Sequence, residues 1–183
     1  NVWMTRLPKI HIPLDGIYTS SVETKKGYDL TIDTELEWGT DRGNYELEYC
    51  LRDADNSKSP IETENQEFFR VKQPLTCGQN KISITIPVDN PRKWDITDPY
   101  LYDLQVCLWR EQETNSRELC QQEHFRIGFR TIQFEPDRCF LLNGRKIRLN
   151  GACDHHDLGA LGAAFHEEAM RRKFKLMRSM GVN

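Results

Sequence analysis

The chain has 183 residues, 38% apolar and 29% charged, and its 25 Lys and Arg against 28 Asp and Glu leave a net charge of -3. That balance supplies no basic field for a phosphate backbone, so nucleic acid is not an expected partner. No apolar run reaches the roughly 18 residues of a bilayer-spanning helix, so no membrane partner is expected either.

The chain opens NVWMTRLPKIHIP, which reads as a strand and not as a charged segment followed by an apolar signal core. A trimmed product would read the same, so the compartment stays open. As far as about Asp157 the apolar period is two. The run from Tyr28 to Trp38 alternates, with Leu30, Ile32, Leu36 and Trp38 on one face. From Asn44 to Leu51, Tyr45, Leu47, Tyr49 and Leu51 face one way and acids the other. Further runs cover 82–86, 100–109 and 124–129. Turn chemistry separates them at 41–44, 53–57, 77–80 and Asn90-Pro91. Short alternating strands with polar turns predict an antiparallel β-sandwich, mainly β in class.

After Phe134 the pattern changes. Residues 138–149 read as a hairpin with Asn143-Gly144 at its turn, the strongest short hairpin signal. Residues 165–180 read as a helix, with Met170, Phe174 and Met177 at i, i+4 and i+7 and Met180 beyond. Glu167 and Glu168 suit its first turn and Arg178 its last, and Gly181 is a stop signal. A lone strand–helix unit cannot bury both faces, because its strand needs parallel neighbours. This tail is therefore expected to be the first step of a larger, truncated α/β domain. Alone, it should fold back on the sandwich or be covered by a second copy in a homodimer.

Between hairpin and helix stands Gly151-Ala152-Cys153-Asp154-His155-His156-Asp157-Leu158-Gly159. It packs a thiol, two imidazoles and two carboxylates into five positions. A zinc reading is open on ligand type. However, ligands from one short extended segment do not easily wrap a tetrahedron, so no metal is expected. Gly159 and Gly162 read as a tight loop and not as a phosphate cradle, since no strand–glycine-loop–lysine pattern accompanies them. The six cysteines include no C-x-x-C pair and read mostly as free, buried thiols, with Cys50 and Cys107 inside strand patterns.

Three stretches carry a resemblance. Phe140-Leu141-Leu142-Asn143-Gly144-Arg145-Lys146-Ile147-Arg148-Leu149-Asn150-Gly151 resembles the F-x-L-N-G-K-x-x-x-x-G entry to the catalytic barrel of glycoside hydrolase family 2. The 94–104 stretch, Trp94 through Pro99-Tyr100-Leu101-Tyr102 to Leu104, resembles the W-x-x-x-x-P-x-L-Y-x-L of that family's immunoglobulin-like domain. Gly128-Phe129-Arg130-Thr131-Ile132 resembles the G-F-R motif at its exit. The Cys153-x-His155-His156-Asp157-Leu158-Gly159 form is similar to a β-galactosidase-like branch found in gut Bacteroidetes.

The resemblance implies three parts. Residues 1–16 would end a preceding sugar-binding-type sandwich, 17–132 would form an immunoglobulin-like sandwich, and 133–183 would begin a (β/α)8 barrel with hairpin, strand one and helix one. It implies a retaining glycosidase acting on β-D-galactosides, with no cofactor, and a periplasmic or secreted home is compatible with it. The two catalytic glutamates of the family lie on later barrel strands, so this segment would be a non-catalytic scaffold.

His155 and Asp157 are the residues implied as sugar-binding in the parent enzyme. Asp154 and His156 replace the family's usual Arg and Glu, so the roles of those two do not carry over. The alternatives are a stand-alone β-sandwich binding module for carbohydrate or protein, and a β-glucuronidase or β-mannosidase parent.

Structural readings are preferred for the other residues of interest. Glu35, Glu46, Glu48 and Glu123 are expected on solvated strand faces, and His11 and His124 are expected to be structural or solvated. Trp38 and Trp109 should sit on apolar faces. Trp94 should pack inside its motif instead of stacking on sugar, and the Met stripe should pack a barrel.

Overall fold

The computed structural model describes residues 4–40, 43–53, 67–112, 116–137, 139–155 and 157–183. Residues 1–3, most of the turn expected at 53–57, Asp41 and Arg42 of the preceding turn, and His156 lie outside the described residues. The chain divides into two compact units, Asn1–Arg130 and Thr131–Asn183.

The first unit holds β1 (Ile10–His11), β2 (Ile17–Glu23), β3 (Gly27–Glu35), β4 (Glu37–Trp38), β5 (Tyr45–Asp53), β6 (Glu67–Leu75), β7 (Lys81–Asp89), β8 (Tyr102–Glu111) and β9 (Arg117–Ile127). One sheet has the order β2-β3-β7 and another the order β6-β5-β8-β9, with every pairing in both antiparallel. β1 and β4 form a separate two-stranded ladder.

The alternation read in the sequence sets the inner faces. Tyr28, Leu30, Ile32, Ile82, Ile86 and Val88 are buried on the three-stranded sheet. Tyr45, Leu47, Tyr49, Leu51, Tyr102, Leu104, Val106 and Leu108 are buried on the four-stranded sheet. Together they form one apolar cluster, the expected result of stacking two half-apolar sheets. One polar contact crosses it: Thr34 Oγ1 and the Tyr49 hydroxyl lie 2.9 Å apart, both buried.

The structure departs from the sequence reading at several places. The run expected as one strand from Tyr28 to Trp38 breaks at Leu36, whose N–H goes to Asn80 O, 2.9 Å away. Trp38 then pairs with Ile10 in the small ladder, and its Nε1 donates to Gln79 O at 2.8 Å.

Two strands escape the period-two reading altogether. β2 (IYTSSVE) and β6 (EFFRVKQPL) are edge strands, half exposed and rich in polar residues. β6 carries Pro74, which an edge tolerates because it has no ladder partner on one side.

Trp109 does not face the core. It lies on the outer face beside Cys107, half buried, with the Arg117 guanidinium 4.8 Å above its ring. The register with β9 shifts between Leu108 and Trp109, leaving Cys120 as the extra residue on β9.

Glu48 is not solvated. Its side chain is 8% exposed and pairs with Arg70 at 2.8 Å, Arg117 at 3.6 Å and Lys72 at 3.9 Å. Because β5 is central, cation side chains close over its outer face, Arg70 and Lys72 from neighbouring β6 and Arg117 from β9 beyond β8. Of the other acids, Glu46 is also ion-paired, to Arg117 at 2.7 Å, while Glu35 stays exposed.

The cysteines are free, but only Cys50 and Cys107 are buried. Cys77, Cys139 and Cys153 are exposed: Cys77 sits in a turn, Cys139 at the first position of a short strand and Cys153 in a segment without a ladder.

The second unit begins with β10 (Ile132–Glu135), β11 (Cys139–Leu142) and β12 (Arg145–Lys146), in the order β10-β11-β12. Asn143 and Gly144 have φ of 49° and 74°, the pair of positive values that a tight hairpin turn of the primed type requires. Leu141 and Leu142 are buried. A 3-10 turn covers Gly159–Leu161, and α1 covers Glu167–Ser179 with His166 as its N-cap.

Among the described residues of 147–158, where a barrel strand was expected, no ladder forms. A parallel strand is defined by its neighbours, and no described strand pairs with this segment. On α1, Met170 and Met177 are half buried, whereas Phe174 is 55% and Met180 81% exposed.

Candidate functional site

The segment after β12 is extended and is held by two clasps. At its start, Asn150 N–H donates to Asn183 Oδ1 at 3.0 Å, and Asn183 N–H donates to Asn150 O at 3.1 Å. Asn183 Nδ2 donates to Arg148 O at 2.9 Å, and Asn150 Nδ2 to Gly181 O at 3.2 Å. The chain thus leaves 148–150, passes through a loop and α1, and returns beside its own starting point.

At the far end of the segment, Lys173 of α1 gathers the cluster. Its ammonium pairs with the Asp154 carboxylate and donates to His155 O at 2.8 Å and Asp157 O at 3.4 Å. The side chains of Asp154 and Lys173 are only 28% and 26% exposed.

Asp154 goes to Lys173, while His155 and Asp157 line a shallow recess with Gly162 and Ala163. Both recess side chains are exposed. Cys153 is exposed and does not line it.

Asp157 Oδ1 accepts the Gly159 N–H at 2.8 Å, a turn that fixes the carboxylate. A carboxylate offers about four lone-pair sites, so this bond leaves capacity for a ligand hydroxyl. Leu158 N–H reaches Gly162 O at 2.9 Å, closing the tight loop read from the two glycines. With donors and acceptors but no enclosed apolar walls, the recess can hydrogen-bond a polyhydroxylated ligand.

The residue that sequence reasoning missed here is Lys173. It reads as one more charge on a polar helix face, and nothing local points to Asp154. The signal available was an acid just before the loop and a base on the following helix. Among the described residues, no group of three or more His, Cys, Asp and Glu converges as a metal site.

Among the described residues, the sandwich shows no comparable cluster in a cleft. A roomier recess, lined by Leu7, Ile12, Leu14, Ile17, Gln121 and Phe125 among others, is largely apolar. Gln121 spends its amide on the Ile12 backbone there, accepting at 2.8 Å and donating at 3.0 Å. The recess that holds His155 and Asp157 is smaller, but it combines exposed chemical groups with a built backbone.

Trp94 packs as expected within its motif. Its N–H donates to Phe129 O at 2.9 Å, and the Arg130 guanidinium lies 4.7 Å over its ring. His11 is tied to Pro8 O at 3.0 Å and Glu37 at 3.4 Å, and His124 to Asp103 at 3.4 Å.

Known proteins match both units. The sequence model described as Glycosyl hydrolases family 2 matches residues 10–130. The whole chain is 33% identical to a β-galactosidase of Bacteroides ovatus, covering 20% of that protein. It is 27% identical to a putative β-glucuronidase of Formosa agariphila, again over the whole chain and 20% of the relative. Among solved structures, a β-glucuronidase of Bacteroides uniformis has a TM-score of 0.81 at 26% identity, over 97% of this chain and 21% of that one. A family 2 member of Bacteroides cellulosilyticus has a TM-score of 0.80 at 27% identity, over 97% and 22%. The chain spans about a fifth of the length of these relatives.

Proposed function

This chain belongs to glycosyl hydrolases family 2, and from that premise we propose that it is the scaffold segment of a retaining β-glycosidase, a β-galactosidase. In this reading Ile17–Ile132 is the immunoglobulin-like middle domain, and residues 133–183 are the opening strand–helix unit of the catalytic (β/α)8 barrel. Sequence identity of 33% to the Bacteroides ovatus β-galactosidase over the full chain carries the choice of sugar.

The return of Asn183 to Asn150 supports the barrel unit, since a strand–helix–strand step brings the next strand beside the first. The exposed Phe174 and Met180 support it too. A finished binding module would not leave such a stripe in water, whereas further strand–helix units would cover it. A second copy of the chain is the other occupant that would cover it in isolation.

Retaining hydrolysis needs two carboxyl groups about 5 Å apart across the scissile bond, one as acid/base and one as nucleophile. Glu46 and Glu48 share one face of β5, and both are bound by Arg117. They are structural ions and not a catalytic dyad, so we place the catalytic pair outside these residues. His155 and Asp157 are then hydrogen-bond partners of sugar hydroxyls at the barrel mouth, where strand ends of such barrels carry their sites.

A second reading is a β-glucuronidase, favoured by the TM-score of 0.81 to the Bacteroides uniformis enzyme. Hydrolysis of nitrophenyl β-galactoside and nitrophenyl β-glucuronide by the whole enzyme separates the two. The 183-residue chain alone should turn over neither. Turnover by the chain alone would mean that carboxylates assigned here to ion pairs perform the chemistry.

A further inference from the structure

We propose that Lys173 is the positioning residue that sets the backbone beneath His155 and Asp157, with Asp154 as its counter-ion. This assignment rests on the reading of those two side chains as sugar ligands.

The segment that carries them has no ladder to hold it. Every residue without a ladder keeps two soft dihedrals, so its side chains would sweep through many directions. Lys173 removes that freedom from one place. An ammonium has three N–H donors, and Lys173 has three acceptors: the Asp154 carboxylate, His155 O at 2.8 Å and Asp157 O at 3.4 Å. The two carbonyls belong to the two residues that line the recess. Asp154, next to His155 in sequence, pairs with Lys173, does not line the recess and supplies the charge.

The anchor itself is rigid. Lys173 lies mid-helix in α1, two residues past Arg171, which pairs with Glu167 at 3.0 Å. The helix is capped at its start by His166, which accepts from the Ala169 N–H at 3.4 Å. A point-charge ammonium on a flexible stem suits three acceptors that converge from different directions. A planar guanidinium presents its donors in one plane and would not reproduce the set.

Lys173 reaches backbone and Asp154 and has no place in the recess lining. Its loss should therefore weaken sugar binding in the ground and transition states alike. That pattern is a rise in KM with little change in kcat.

The test uses the intact glycosidase that carries this segment and its nitrophenyl glycoside substrate. Lys173→Met should raise KM about tenfold and leave kcat within about threefold. Asp154→Asn should do the same in lesser degree. The double variant should match Lys173→Met alone, because the two residues act as one unit. Lys173→Arg should not restore the wild-type KM. If Lys173→Met fails to fold, Asp154→Asn, which removes only the charge pair, carries the same KM test.

An unchanged KM in these variants, while His155→Ala raises it, overturns the positioning role and leaves the sugar-ligand reading standing. An unchanged KM in both His155→Ala and Asp157→Asn overturns the sugar-ligand reading, and the role of Lys173 falls with it.

Discussion

Trp94 fills the space into which a Cβ on Gly128 would project. Such an atom would stand 3.0 Å from Trp94 Cβ and 3.2 Å from both Trp94 Cδ1 and Leu101 Cδ2. Two motifs far apart in the chain interlock here. Phe129, next to Gly128, is buried with its ring 5.3 Å from Tyr28 and 5.2 Å from Tyr102. Tyr102 in turn accepts the Arg92 N–H at 2.7 Å. The clasp ties the end of β9 to the segment entering β8.

Gly128→Ala should therefore destabilise the sandwich. The Trp94 backbone is fixed by its bond to Phe129 O, so the crowded Cβ cannot be relieved by moving one side-chain tip. Overpacking of this kind costs about 1–3 kcal/mol. Urea unfolding, followed by tryptophan fluorescence, should show a lower midpoint with an unchanged slope. An unaltered midpoint would mean that the indole simply swings aside.

The outer face of β5 predicts an asymmetry. Arg70→Met takes the 2.8 Å partner from buried Glu48 and leaves it cations only at 3.6 and 3.9 Å. Stranding part of a buried charge costs about 1–3 kcal/mol. Glu48→Leu should cost less, since Arg70 keeps Glu67 at 2.7 Å and Arg117 keeps Glu46 at 2.7 Å. Equal losses in the two variants would contradict this account.

Burial pushes the Tyr49 hydroxyl up to about 12 from an ordinary 10.0, against the opposing effect of its bond to Thr34. The folded state thus favours the neutral phenol. Its contribution to stability is complete below pH 10 and is lost as pH rises from 10 toward about 12. Wild type and Tyr49→Phe should converge in stability over that window in chemical unfolding. Thr34→Val, which orphans the buried hydroxyl, should cost about 1–3 kcal/mol at neutral pH.

Thiol reactivity should divide the six cysteines. Cys77, Cys139 and Cys153 are exposed, Cys120 is half buried, and Cys50 and Cys107 are buried. Burial also raises the pKa of Cys50 and Cys107, which lowers their thiolate fraction. A native titration with a chromogenic disulfide should show three fast thiols and two that react only on unfolding. Fast labelling of Cys107 would mean that β5 and β8 open readily.

Much of this molecule can be read from local pattern alone. The alternation at Leu30-x-Ile32 and Tyr45-x-Leu47-x-Tyr49-x-Leu51 selects the buried faces, because side chains of a strand alternate and one face must leave water. Asn143-Gly144 marks its turn because positive φ there is tolerated by those two residues. The period near 3.6 and the flanking charges mark α1, and the three motifs in order point to the family.

What local pattern missed depends on neighbours distant in sequence. The edge strands β2 and β6 are half wet, so their apolar signal is diluted and Pro74 argues against a strand that an edge accepts. Burial of Glu48 follows from the central place of β5, with β6 bringing Arg70 and Lys72 over it and Arg117 reaching in from β9. Trp109 falls on the outer face by the alternation of β8 itself, and only the fold brings the Arg117 guanidinium of β9 over its ring.

At the site, His155 and Asp157 could be named from sequence as chemistry-bearing side chains. Their shared recess and the anchoring by Lys173 could not. An ion pair between positions 154 and 173 exists only once the chain has left the hairpin, turned through a helix and come back alongside. Residue type and period are local properties, but which charge meets which is decided by the path of the chain in three dimensions.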